Sequence, residues 1–114
     1  MNLLLTILFF IIPSISYSQT NENKKVLNVN YASFIMYHRF GDSRFPSTNI
    51  KKEQFERHIN ELLKPKYNVI DIERALLAIN NIEPVKDRSV VITIDDAYSS
   101  VYKYAWPIFK KYNL

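Results

Sequence analysis

The chain contains no cysteine, which excludes disulfides, thiolate zinc sites and lipid attachment through an N-terminal cysteine. A fold without those links is held by its core or by a bound ion. Glycine is almost as scarce. The one glycine, Gly41, sits with Pro46 in "RFGDSRFPSTN", a stretch of turn residues that must be a loop. Charged side chains are missing from residues 1–20 altogether, so the net charge of +4, from 15 Lys+Arg and 11 Asp+Glu, belongs wholly to residues 21–114. The basic residues are scattered and form no stripe of the kind that tracks a phosphate backbone. They read as solvated surface, and no nucleic-acid partner is expected. Internal repeats are lacking too, and there is no low-complexity segment beyond a short polar tether.

What is present is ordinary globular material, 47% hydrophobic. Residues 1–18, "MNLLLTILFFIIPSISYS", read as a secretory signal peptide. Leu3–Ile12 is an apolar core broken by Thr6, Pro13 ends it, and Ser16 and Ser18 precede a cut ahead of Gln19. As a helix that core is about 15 Å long, about half of a bilayer's hydrocarbon thickness. No Lys or Arg precedes it, and an uncleaved anchor is the alternative. The expectation is an exported protein, periplasmic, in the cell envelope or extracellular, touching membrane only through this segment. Residues 19–31 are the polar tether.

From there the pattern alternates. "ASFIMYH" (32–38) is a strand, and Phe55, Ile59, Leu62 and Leu63 mark one face of a helix from Lys51 to Lys64. "YNVIDI" is a short strand. Asp71 then caps a helix carrying Ile72, Ala75, Leu76 and Ile79 on one side. "NNIEPVKDR" is a loop, and Ser89–Ile94 is a near-continuous apolar run, the pattern of a strand buried on both faces. Tyr98–Tyr112 returns to helical spacing, kinked at Pro107, which lacks a backbone donor. The order β-α-β-α-β-α implies an α/β fold with a parallel sheet. Three such units leave an apolar edge uncovered, and a complete α/β barrel takes roughly 250 residues. The expectation is therefore the front part of a larger domain.

Catalytic groups of parallel α/β folds collect at the C-terminal strand ends. "VVITIDDAY" places Asp95 and Asp96 at such an end. Successive strand residues point to opposite sides, so both reach one site only where the strand is already bending. A divalent cation there would relieve their repulsion, one carboxylate binding it while the other takes a proton from water. The alternative is structural, with Asp96 capping the next helix. His38 ends the first strand and falls on the same rim, as a lone structural histidine or as part of the site. His58, three residues after Phe55, reads as a partly buried packing residue. Tyr37 and Tyr98 either line a saccharide site or cover core.

The stretches "FIMYHRFGDSRFPSTNIKKEQFERHINELLKPKYNVIDI" and "VVITIDDAYSSVYKYAWPIFKKYNL" resemble the N-terminal part of the polysaccharide deacetylase family, carbohydrate esterase family 4, with its NodB homology domain. The similarity spans residues 33–114, with "TIDDAY" matching the family's first signature, usually Thr-Phe-Asp-Asp-Gly. The domain assignment is then 32–114 as the first β/α units of a distorted (β/α) barrel, incomplete here. The resemblance implies removal of N- or O-acetyl groups from an acetylated polysaccharide such as chitin, peptidoglycan or poly-N-acetylglucosamine. It implies Asp95 as catalytic base, Asp96 as a ligand of Zn²⁺ or another divalent metal, and His38 with Tyr98 lining the site.

Two departures stand out. Ala97 replaces the usual glycine, which strains the turn if it needs positive φ. The family's second motif, a pair of histidines three residues apart, has no counterpart, nor do the motifs supplying the general acid and the acetyl pocket. A catalytic zinc takes three protein ligands and a water. The isolated chain is therefore expected to be inactive and to bind metal weakly. A truncated, non-catalytic saccharide-binding chain is the second reading. A phosphoryl-accepting α/β domain expects a further acceptor aspartate at another strand end, and a glycosidase needs its carboxylates roughly 5 to 9.5 Å apart across a sugar. The signal-like residues 1–18 and the lack of an aspartate at the end of the first strand count against the former, and adjacent strand-end aspartates serve the latter poorly.

Overall fold

The computed structural model describes residues 27–114. Residues 1–18, read as a signal peptide, and residues 19–26 of the expected tether lie outside the described residues. No helix among the described residues is long and apolar enough to cross a membrane.

Strands β1 (Asn28–Val29), β2 (Ser33–Tyr37), β3 (Arg39–Phe40) and β4 (Asn49–Ile50) precede helix α1 (Lys52–Leu62). Strand β5 (Asn68–Val69), helix α2 (Ile72–Ile79) and strands β6 (Val85–Lys86) and β7 (Ser89–Ile94) come next, and helix α3 (Trp106–Tyr112) closes the order. The alternation read from the sequence holds, and β7 has the bounds its apolar run implies. The central sheet is parallel, in the order β2-β7-β5. The third apolar strand is thus the middle of the sheet, not an uncovered edge; β2 and β5 are the edges. Its first residue, Ser89, is buried but satisfied, donating to the Lys86 carbonyl at 2.7 Å and accepting from Asn68 at 3.1 Å.

Register decides which side chains meet. Ile35 pairs with Ile92 and Tyr37 with Ile94, and all four belong to the core beneath α1 and α3. The hub of that core is Phe55 of α1. Its ring meets Phe40, Tyr37 and Phe109 edge-on, with centroids 4.7, 5.3 and 5.5 Å away. Such tilted contacts set the positive ring edge of one aromatic against the negative face of another. Alternation turns Phe34 and Met36 to the opposite sheet face, where they are 46% and 58% exposed. Tyr37, read as core cover or saccharide lining, is core: its hydroxyl lies 2.9 Å from Nδ1 of the half-buried His58.

Several local expectations change. The tether is fixed from Leu27 onward. Strand β1 pairs antiparallel with β6, inside the stretch read as loop, and Tyr31 donates to Asp87 at 3.0 Å. The loop holding Gly41 is bracketed by a two-rung parallel pairing of β3 with β4. Asp71 does cap α2, accepting from the Arg74 N–H at 2.8 Å. That helix, however, buries Ala75 and Ala78 and leaves Ile72, Leu76 and Ile79 about half exposed. Side chains that end at Cβ let a short helix approach β6 and β7 closely, and the larger aliphatics then fall on its flank.

The helix expected over Tyr98–Tyr112 is present from Ser99 to Tyr112 without a break, but it is not uniform. Val101–Ala105 forms a π-helical turn in which the Trp106 N–H reaches the Val101 carbonyl, and α3 begins at Trp106 with Pro107 in its first turn. The extra residue in the turn shifts the hydrogen-bond register ahead of the proline, where the missing donor costs nothing.

This core carries two expected outcomes. Phe55→Ala should cost about 3–5 kcal/mol in urea unfolding, by loss of the hub and the cavity left behind. Burial pushes the Tyr37 phenol above its ordinary value. Its stabilising effect is complete below about pH 10 and is lost as pH rises through the folded value. Tyr37→Phe should abolish this alkaline decline while costing about 1 kcal/mol at neutral pH through the lost His58 bond.

Candidate active site at the C-terminal rim of the sheet

The rim forms where β2 and β7 end together. The Asp95 N–H donates to the Tyr37 carbonyl at 2.8 Å, extending the parallel ladder by one rung. Alternation along β2 turns Phe34, Met36 and then His38 to one face, and along β7 it turns Val91, Thr93 and then Asp95 to the same face. The register therefore sets His38 beside Asp95. Nε2 of His38 lies 3.9 Å from Oδ2 of Asp95, with the imidazole 24% and the carboxylate 49% exposed. The pair is half-wet and open to a ligand.

Asp96 and Ala97 come next, with φ of +64° and +40°. These are the φ signs of a type I′ turn, a conformation that favours Asn, Asp and Gly at its centre. The strand thus bends at once, and two adjacent carboxylates leave the sheet without the strict opposition of a pleat. Ala97 takes the strained position expected of a glycine replacement, at about 1–2 kcal/mol relative to a right-handed residue. Asp96 caps no helix: the π-helical turn has Ser100 at its N-cap and no side-chain cap bond.

Two features of the rim left no periodic trace in the sequence. The first is a tie between the strand ends, in which the Phe40 N–H donates to Oγ of Ser100 at 3.2 Å. The second is Arg39, whose guanidinium carbon lies 3.5 Å from the Tyr98 ring centroid and 4.0 Å from that of Phe45. Tyr98, expected to line the site, is half-buried against this cation. The "MYHR" tetrapeptide was signal enough for His38 but carried no hint of what Arg39 stacks on.

Among the described residues no group of three or more His, Asp or Glu side chains is close enough to hold a metal ion. His38, Asp95 and Asp96 thus do not assemble the three-ligand set that a catalytic zinc takes. The chemistry assignable to this chain is that of its own side chains: a carboxylate able to accept a proton and an imidazole able to hold or give one at the same rim.

The class this defines is a parallel α/β sheet with His38 and Asp95 together at its C-terminal edge. No family model matches the chain. It is similar to YxkH of Bacillus subtilis (strain 168), whose name assigns it provisionally to the polysaccharide deacetylases, at 30% identity over 80 residues. That match covers 70% of this chain and 28% of the relative. The structure is similar to that of a de-N-acetylase from Aggregatibacter actinomycetemcomitans, with a TM-score of 0.60 and 25% identity over 72% of this chain and 34% of that one. The resemblance to the polysaccharide deacetylases therefore stands on sequence and fold alike. The chain spans about a quarter to a third of the length of these proteins.

Replacing Ala97 with Gly should raise stability by about 1 kcal/mol, because glycine adopts positive φ without a Cβ penalty. The check is the urea midpoint; a midpoint that stays put or falls means the turn is not strained.

Proposed function

We propose that this chain carries the base-bearing rim of an exported, metal-dependent deacetylase acting on acetylated polysaccharide. The single observation that carries the reading is the placement of His38 against Asp95 at the C-terminal rim of a parallel sheet. The names of the two similar proteins and the signal-like residues 1–18 support it.

In this reading Asp95 accepts a proton from the water that attacks the acetyl carbonyl. Collapse of the tetrahedral species breaks the bond from carbon to the sugar nitrogen or oxygen. His38, when protonated, gives a proton to that leaving atom, so that acetate and a free amino or hydroxyl group depart. Two titratable groups at one rim, with Nε2 of His38 3.9 Å from Oδ2 of Asp95, can divide the roles of acid and base. Asp96 is the donor this chain offers to a divalent cation, Zn²⁺ by family resemblance, and further ligands are needed to complete the set. That shortfall favours one second reading, a non-catalytic saccharide-binding chain.

The deciding measurement is acetate release from acetylated polysaccharide by the full-length gene product. Asp95→Asn should lower the rate by a factor on the order of 10² or more and leave metal content near wild type. Asp96→Ala should lose the metal. Normal deacetylation by both variants means the rim is not the active site, and saccharide binding without acetate release in the wild type selects the second reading.

A further inference from the structure

We propose that Arg39 is the positioning residue of this rim: stacked between the Phe45 and Tyr98 rings, it holds the Asp95–Tyr98 turn in the conformation that presents the two carboxylates. The proposal rests on the assignment of Asp95 and Asp96 to the active rim. Two successive residues of positive φ, neither of them glycine, persist only where flanking contacts over-determine them. On the near side of the turn, the flank is the Asp95 N–H bond to the Tyr37 carbonyl. On the far side, Tyr98 lies face-on to Arg39, and its carbonyl accepts the Val101 N–H at 2.8 Å.

Arg39 is itself held at both ends. Its N–H donates to the Thr48 carbonyl at 3.0 Å and its Nη1 to Oγ1 of Thr48 at 3.2 Å. The residue thus joins the end of the first strand, the Phe45–Thr48 loop and the turn that carries the acids. A planar guanidinium presents two faces to two rings and still directs an N–H sideways, which a hydrated ammonium does not do.

The test is made on the full 114-residue chain by NMR. In the wild type the Arg39 Hδ protons should lie upfield of their usual position, shifted by both rings, and Tyr98→Leu should relieve part of that shift. Arg39→Met should speed amide exchange at Asp95 and Val101 by about tenfold while leaving Ile92, at the centre of the sheet, within about twofold. Arg39→Lys should not restore protection. In the full-length gene product Arg39→Met should lower kcat by about tenfold with KM little changed, the sign of misplaced chemical groups.

Arg39 protons at ordinary shifts overturn the proposal. So does unchanged exchange at Asp95 and Val101, an equal rise at Ile92, or full rescue by lysine. Should Asp95→Asn retain full deacetylation, the functional reading fails while the shift and exchange results still judge Arg39's hold on the turn.

Discussion

Sliding Ser33–Tyr37 by one rung along Ser89–Ile94 would turn Ile35 and Tyr37 away from the helices and swing His38 off the face that carries Asp95. The parallel register of these two strands is the constraint on which the rest depends. One set of rungs sends Ile35, Tyr37, Ile92 and Ile94 into the aromatic core around Phe55. The alternate set carries Phe34, Met36 and Thr93 toward the rim, where the next rung is His38 beside Asp95. Core and candidate site are two faces of one pairing, so the hydrophobic energy that locks the register also fixes the distance between imidazole and carboxylate.

At the turn beyond β7, Asp95 to Ala97, geometry is kept by local ties and not by burial. The acids are exposed, their turn is strained, and the stretch beyond them holds a π-helical turn ahead of Pro107. Against these liabilities stand the Asp95–Tyr37 backbone bond, the Phe40–Ser100 tie and the stacked Arg39. The candidate rim departs from local backbone preference at Asp96 and Ala97, and such strain persists only where the surroundings hold it.

The similar proteins are much longer than the stretch they share with this chain, which covers 28% of one and 34% of the other. This chain brings an acid pair and an imidazole to the rim, with no three-donor cluster among the described residues.

Much of this was readable in advance, because some signals are local. Ser89–Ile94 announced itself by an unbroken apolar run, Asp71 by its position ahead of a helical period, and Asp95 with Asp96 by charge placed where a buried strand ends. The deacetylase resemblance rested on the same short motifs. Other features depend on residues far apart in the chain. Helical spacing put Ile72, Ala75, Leu76 and Ile79 on one side of α2; of these only Ala75 is buried, joined by Ala78, where the helix approaches β6 and β7. Tyr37 was ambiguous until the register placed it under α1, and Arg39 looked like any surface base until Phe45 and Tyr98 closed on it. Residue order along the chain specified the elements, the parallel class and the acids, since periodicity and capping act within a few residues. Folding in three dimensions settled strand order, the choice of packing face and the pairing of His38 with Asp95, since these compare the energies of segments widely separated in sequence.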